Sequence, residues 1–284
     1  MSWRMRVRHR TGYQYGSPAR ASYNEVRMTP ADQQRPAGGQ HLLTSRLDIR
    51  PDARPLRYVD YWGTQVHAFD LHVPHTELEV TATSVVETAG PADAVPEVGW
   101  DTLASAAVRD RFAELLAPSR YAVAEDELDA VARSLRAAGS PAETGRAAVH
   151  WVHETLDYVR GATAVGTTSA EARALGQGVC QDFSHLALAL LRSAGLPARY
   201  VSGYLYPGST GTLDETVSAE SHAWVEFWAG DWIPLDPSNL SEVAERHVLV
   251  ARGRDYADVR PLAGVYSGPP AQSLGVTVEL TRLR

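Results

Sequence analysis

The 284-residue sequence predicts an α+β protein in which helices pack on an antiparallel sheet, preceded by an all-β, sandwich-like domain. Residues 1–88 alternate apolar and polar side chains without a helical period, as half-buried strands do. Residues 101–194 carry apolar side chains at helical spacing, and a period of two returns after residue 198. We therefore expect a β domain over 1–88, a linker over 89–100 and an α+β domain over 101–284.

Short alternating segments predict the strands of the first domain. The first strand shows the half-buried pattern, in which arginines alternate with Trp3, Met5, Val7 and His9. Segments 56–62 and 64–73 form a predicted hairpin that turns at Trp62-Gly63, and 78–86 alternates again. Glycines and prolines between residues 90 and 99 predict the linker.

Capping signals divide the next hundred residues into helices. We expect helices over 101–116, ended by Pro118, and over 125–138, ended by Gly139. Capping boxes that begin at Ser140 and Thr168 predict two further helices. Another apolar stripe follows residue 180 and ends at Gly195.

The last part of the chain predicts a sheet. Strands are expected over 198–205, 221–228 and 232–236, with a two-residue turn near Gly230-Asp231 between the last two. Segments 246–251 and 274–280 are predicted to close the same sheet, and the polar loop 207–212 to cover a cleft.

Composition excludes several classes of function. The net charge is −7, and all 27 basic residues are arginines without a basic patch, so we expect no nucleic-acid partner. No segment approaches the roughly 20 apolar residues of a membrane span. The single cysteine excludes an intrachain disulfide and fits a reducing, cytoplasmic location. Without an Asp-x-Asp-x-Asp calcium loop, we expect no metal or other cofactor. The oligomeric state is not encoded in any pattern that we recognise.

The only cysteine, Cys180, lies where a glycine-containing loop meets a helix. Free backbone N–H groups and the positive end of the helix dipole stabilise a thiolate at such a position. Gly176 and Gly178 allow the preceding backbone to turn sharply and leave room for a substrate beside the sulfur. A lone cysteine is more often an inert core residue, so the downstream residues decide between the two interpretations.

Two of those residues lie on neighbouring predicted strands. His222 and Asp236 are separated by the turn near Gly230, which brings them within a few residue pairs of each other across the hairpin. If the helix of Cys180 packs on this sheet, sulfur, imidazole and carboxylate form a Cys-His-Asp triad. Cys180 is then the nucleophile, His222 the acid and base, and Asp236 the group that orients the ring.

Three sequence motifs resemble one known family in order and in composition. They are Gly178-Val179-Cys180-Gln181-Asp182-Phe183, Ser221-His222-Ala223-Trp224-Val225 and Leu235-Asp236-Pro237. Together they resemble the signatures of the transglutaminase-like superfamily. The resemblance implies a papain-like fold, an amino-terminal β domain as in bacterial members, and a peptide or protein substrate. It also implies thioester chemistry, with hydrolysis of peptide, isopeptide or carboxamide bonds as the first hypothesis.

Further residues are weaker candidates for the cleft. Gln177 is an oxyanion candidate, although a loop glutamine is more often a turn residue. Tyr204 and Trp224 are candidates for the cleft wall, although tyrosines and tryptophans on strands usually pack in the core.

Other functions stay open at this point. An amine-transferring protein-glutamine crosslinker would use the same triad, and an inactive peptide-binding module would keep the fold with an unreactive thiol. A zinc site built from Cys180, His185 and His222 is a further hypothesis, which predicts copurifying metal.

Overall fold

The computed structural model describes residues 2–33, 39–90, 96–208 and 212–284. Two predicted features fall partly outside these ranges. They are residues 91–95 of the linker and residues 209–211 of the polar loop.

The amino-terminal part is built from strands. They are β1 (Ser2–Val26), β2 (Gln40–Arg50), β3 (Leu56–Val59), β4 (Gln65–Leu71) and β5 (His75–Ala89). The long strand β1 belongs to two layers: its first half pairs with β5, and its second half, from Ser22, pairs with β4. A buried apolar cluster that includes Tyr15, Phe69 and Leu78 lies in this part of the chain. The predicted sandwich-like arrangement is confirmed.

Helices follow. They are α1 (Trp100–Ala104), α2 (Ala106–Arg111), α3 (Ala113–Leu116), α4 (Asp126–Ala138), α5 (Pro141–Thr155), α6 (Ser169–Leu175) and α7 (Cys180–Ser193). The capping boxes at Ser140 and Thr168 are both present, with each glutamate bonded back to the cap backbone. The single helix predicted over 101–116 is wrong, because Ser105 is extended at φ −62°, ψ 145° and Phe112 also leaves the helical region.

A second sheet follows α7, with a pair of short strands before it. The short strands are β6 (Asp157–Tyr158) and β7 (Gln177–Gly178). The strands of the second sheet are β8 (Ala198–Leu205), β10 (Ser221–Trp228), β11 (Trp232–Asp236), β12 (Ser241–Glu242) and β13 (His247–Gly253). The remaining described elements are β9 (Thr216–Ala219), α8 (Tyr256–Val259), β14 (Leu262–Ser267) and β15 (Ala271–Arg282). The order in this sheet is β12-β11-β10-β8-β13, with all neighbours antiparallel. The predicted α+β core is therefore confirmed.

The carboxyl-terminal strands do not join that sheet. The prediction that 274–280 closes it is wrong, because β15 pairs with β1 in the amino-terminal sheet and β14 pairs with the second half of β1. β9 pairs in turn with β15. Sheet pairing therefore links residues on both sides of the boundary predicted near residue 100. Which distant strands pair depends on the match of their apolar faces, and short sequence motifs do not encode that match.

Two other details concern the position of the site. The turn between β10 and β11 has three residues rather than the predicted two, since Trp228 pairs with Trp232. One buried cluster also extends from Trp3, Met5 and Val7 on β1 into the faces of α7 and β10. The β layers and the helical part thus share a continuous core. Among the described residues, no helix is both long and apolar enough to cross a membrane.

Candidate active site

The loop before Cys180 is held by its neighbours. Gly176 ends α6 with φ +68°, a left-handed conformation that favours glycine. The next residues form β7, which pairs with β6, and the Val159 amide donates to the Gly178 carbonyl at 2.9 Å. A Cβ on Gly178 would lie 2.6 Å from the Asp182 side chain, so this glycine makes room for that carboxylate. Cys180 then begins α7 as its first residue.

The Asp182 carboxylate fixes the start of α7. Its Oδ2 accepts from the Val179 amide at 2.8 Å and from the Thr163 hydroxyl at 2.6 Å. Burial raises the pKa of Asp182, and these hydrogen bonds act in the opposite direction. The first turn of the helix that presents the thiol is therefore tied to two loops.

His222 lies between the thiol and the carboxylate. Its Nε2 is 2.6 Å from Oδ2 of Asp236, and the Cys180 thiol lies near enough to the ring to raise the pKa of His222. Because Asp236 occupies Nε2, Nδ1 is the nitrogen left for the sulfur. Burial acts to lower the pKa of His222, but the hydrogen bonds to Asp236 and Cys180 and their charges outweigh it and raise the pKa to about 10.

Asp236 is fully buried and surrounded by donors. Its Oδ1 accepts from the Ser238 amide at 3.0 Å, the Ser238 hydroxyl at 2.8 Å and the Asn239 amide at 3.1 Å. The Asn239 side chain donates to Oδ2 at 2.8 Å. Although burial opposes ionisation, the hydrogen bonds from His222 and Asn239 and the nearby His247 ring hold the pKa of Asp236 far below its usual range. This carboxylate is a fixed anion whose charge favours the imidazolium form of His222.

His247, on the neighbouring side of Asp236, was not singled out from the sequence. Its Nδ1 accepts from the Ala244 amide at 3.2 Å, so the neutral ring carries its proton on Nε2, which lies 3.5 Å from Oδ2 of Asp236. Burial lowers the pKa of His247. Ser238 and Asn239 were also missed, although Asp-Pro-Ser-Asn is a recognisable Asx-turn sequence.

A cleft of about 450 Å³ opens beside the thiol. Its lining residues come from the helical part, the second sheet and the amino-terminal sheet. They are His9, Tyr158, Arg160, Gly161, Val179, Cys180, Gln181, Tyr200, Ser202, Glu220, Ser221, His222, Ala223, Tyr256, Pro261 and Val276. Cys180 and His222 thus share one cleft that is roomy enough for part of a peptide.

The weaker candidates lie elsewhere. Gln177 is not among the residues that line this cleft. Tyr204 is buried behind it, with its hydroxyl 2.8 Å from Nδ1 of His9. Trp224 is also buried, with its ring 6.2 Å from that of His222 and 5.3 Å from that of His247. Its indole therefore packs beside the two imidazoles instead of forming the predicted cleft wall.

The side chains that could bind a metal ion differ from the predicted set of Cys180, His185 and His222. His185 is buried against Tyr121 and Tyr200, and its Nε2 accepts from the Tyr256 amide at 3.2 Å. Among the described residues, the group with potential ligand atoms within 4.8 Å of one another is instead His222, Asp236 and His247. The 2.6 Å contact between His222 and Asp236 is shorter than the separation of about 3.4 Å between ligands of a tetrahedral ion at 2.1 Å. This group fits a hydrogen-bonded network better than a metal centre.

Comparisons with known proteins agree with this architecture. Residues 5–87 match the bacterial transglutaminase-like N-terminal region, and residues 129–237 match the transglutaminase-like superfamily. The second match includes Cys180, His222 and Asp236.

Full-length relatives and a solved structure are also similar. An uncharacterized protein of Mycobacterium leprae is 47% identical over 281 residues, which cover 99% of both chains. An uncharacterized protein of Mycobacterium tuberculosis is 32% identical over 294 residues, which cover 98% of this chain and 92% of the relative. The crystal structure of a candidate cysteine protease from Cytophaga hutchinsonii matches with a TM-score of 0.75 at 22% identity, covering 100% of this chain and 92% of the other, and it shows the same fold. The chain therefore belongs to the transglutaminase-like superfamily.

Proposed function

We propose that the protein is a thiol hydrolase that cleaves peptide, isopeptide or carboxamide bonds through a thioester. The observation that supports this most directly is the placement of Cys180 and His222 in one open cleft, with His222 bonded to Asp236 behind it. A cation on His222 favours the thiolate form of the neighbouring sulfur, which is the nucleophilic form.

The acylation step uses the Cys180 sulfur as the nucleophile and the His222 ring as the proton donor. The Cys180 sulfur attacks the substrate carbonyl carbon and forms a C–S bond, while charge develops on the carbonyl oxygen. The backbone N–H of Cys180, at the first position of α7, is suitably placed in the helix to stabilise that charge. His222 then gives its proton to the leaving nitrogen, the C–N bond breaks, and an amine or ammonia departs.

Deacylation reverses these roles. Neutral His222 takes a proton from water, the resulting hydroxide oxygen bonds to the thioester carbon, and the C–S bond breaks to give a carboxylic acid and the thiolate. Asp236 keeps the ring in one orientation throughout, because Ser238 and Asn239 fix the carboxylate. No step requires a metal or another cofactor.

Amine transfer is the alternative outcome of the same chemistry. An amine that enters the cleft before water would resolve the thioester into a new amide. The protein has no lysine, so it offers no lysine side chain of its own as an acceptor. A peptide or protein substrate is expected in either case.

The test is intact-protein mass spectrometry with a peptide library that contains glutamine and isopeptide bonds. We expect a mass increase of one acyl group on Cys180 and free acid as the product, both lost in Cys180→Ala. Addition of a labelled primary amine separates the alternatives: amide product in place of acid would identify a crosslinker. Absence of any adduct, together with slow alkylation of Cys180 at neutral pH, would leave the inactive binding module.

A further inference from the structure

The side chain of His9 differs from the others on its face of β1. Trp3, Met5 and Val7 precede it at alternate positions and belong to the shared apolar core. His9 follows the same inward alternation and is only 1% exposed. An imidazole in such a position needs hydrogen-bond partners for both of its ring nitrogens.

One of the two nitrogens has a partner. His9 Nδ1 lies 2.8 Å from the Tyr204 hydroxyl, whereas Nε2 has no hydrogen-bond partner among the described residues. His9 also lines the cleft that contains Cys180 and His222. Because an unmade hydrogen bond of a buried group costs free energy, a buried, unpartnered polar atom on a residue that lines a substrate-sized cleft is a candidate for a contact with the substrate.

The partner of Nδ1 fixes which nitrogen carries the proton. The buried Tyr204 hydroxyl must donate its own proton, and His9 Nδ1 is the acceptor that the described residues provide. Nδ1 is then unprotonated, so Nε2 bears the hydrogen. Burial also lowers the pKa of His9 to about 4, which keeps the ring neutral at physiological pH.

We propose that His9 is a substrate-binding residue whose Nε2–H donates to a carbonyl oxygen of the substrate, and that Tyr204 positions its ring. This inference rests on the proposed function and names a recognition element for it: an amide or ester carbonyl next to the bond under attack. A neutral donor suits an uncharged carbonyl.

The placement gives the amino-terminal sheet a part in recognition. His9 pairs with Val278 of β15, and Val278 pairs with Ala219 of β9, which is three residues before His222. Val276 and Pro261, which also belong to the carboxyl-terminal segment joined to that sheet, line the same cleft. The sheet thus contributes lining residues to the cleft that contains the nucleophile.

Three alkylating probes test the proposal. Each probe is an acetylated dipeptide that ends in a chloromethyl ketone, which alkylates Cys180. The bond that joins the two residues of the dipeptide is an amide in the first probe, an ester in the second and a trans alkene in the third. Amide and ester keep the carbonyl that His9 would bind, and the alkene lacks it. In the native protein we expect Cys180 to react about 2- to 12-fold more efficiently with the amide and ester than with the alkene, the range of one net hydrogen bond.

The variants separate recognition from folding. His9→Phe keeps an aromatic ring without the donor and should remove the preference for the amide and ester over the alkene. His9→Gln restores a donor and should recover part of the preference, and Tyr204→Phe should weaken it. Equal ratios in the native protein and His9→Phe, with both folded by circular dichroism, would overturn the proposal.

A second measurement does not depend on labelling. ¹⁵N NMR of the histidine rings should show His9 as the Nε2–H tautomer, and the Nδ1–H tautomer would contradict the proposal. Failure of every probe to label Cys180 would instead count against the thiol chemistry itself, so the two hypotheses fail in different ways.

Discussion

The fully buried carboxylate of Asp236 lies 2.6 Å from Nε2 of His222, in a contact that joins the hairpin of β10 and β11 to the proposed chemistry of Cys180. The register of the hairpin, in which Val225 pairs with Leu235, makes this contact possible because it places the two side chains diagonally across neighbouring strands. The contact has consequences that can be measured.

The first prediction concerns pH. His222, whose pKa is raised to about 10, should supply its proton to the leaving group below that pH and fail to do so above it. Hydrolysis should therefore decline as the pH rises through about 10, and Asp236→Asn should move the decline to lower pH, because burial then lowers the pKa of His222 with less opposition. In Asp236→Asn we also expect kcat/KM to be lower than in the native protein by roughly 10²-fold or more. A pH–rate profile with an unmoved alkaline limb would contradict the role of Asp236.

The second prediction concerns His247. In His247→Phe the Ala244 amide loses its acceptor, and Asp236 loses the imidazole whose Nε2 lies 3.5 Å from its Oδ2. The free energy of unfolding should fall by about 1–3 kcal/mol, and the alkaline limb of the profile should shift. His247→Gln keeps an acceptor and a donor and should recover most of both properties. His150→Gln, on the exposed face of α5, is the matched control and should change neither.

The third prediction concerns Gly203, which pairs with His222 across β8 and β10. A Cβ at this position would lie 2.0 Å from the Val248 carbonyl oxygen and 2.7 Å from the Trp224 ring. Gly203→Ala must displace a strand beside the imidazole, so we expect it to cost about 1–3 kcal/mol of stability and to lower kcat. Gly166→Ala has no heavy atom within 4 Å of the added carbon and should resemble the native protein. Urea unfolding and initial rates measure both effects.

The fourth prediction concerns the helix that presents the thiol. Leu190 of α7 is completely buried in the shared core. Leu190→Ala should reduce the free energy of unfolding by about 2–5 kcal/mol, whereas Leu175→Ala, at a site that is 52% exposed, should stay within about 0.5 kcal/mol of native. Urea unfolding measures both changes. A similar unfolding midpoint for both variants would show that α7 does not pack as described.

Much of this site is predictable because its signals are local. The glycine loop before Cys180, the apolar period of α7 and the strand that carries His222 are each visible within a dozen residues. The structure brings the three predicted triad residues together, and their roles stay a prediction until tested.

What the sequence leaves unseen depends on distant partners. His247 contacts Asp236 because β13 joins the sheet beside β8, and His9 reaches the cleft because β15 returns to pair with β1. Neither pairing has a turn or a short loop that would reveal it, so apolar alternation predicts the strands but not their neighbours.

The pairing of β15 with β1 also has a consequence for biosynthesis. Met5 pairs with Arg282, so β1 must wait for β15, a strand that is synthesised much later. Such long-range closure slows folding and leaves the apolar edge of the early strand uncovered during translation. Nascent chains stalled before residue 271 should therefore be captured by chaperones far more readily than chains in which β15 has left the ribosome, since the cleft wall that contains His9 is completed only when β15 pairs with β1.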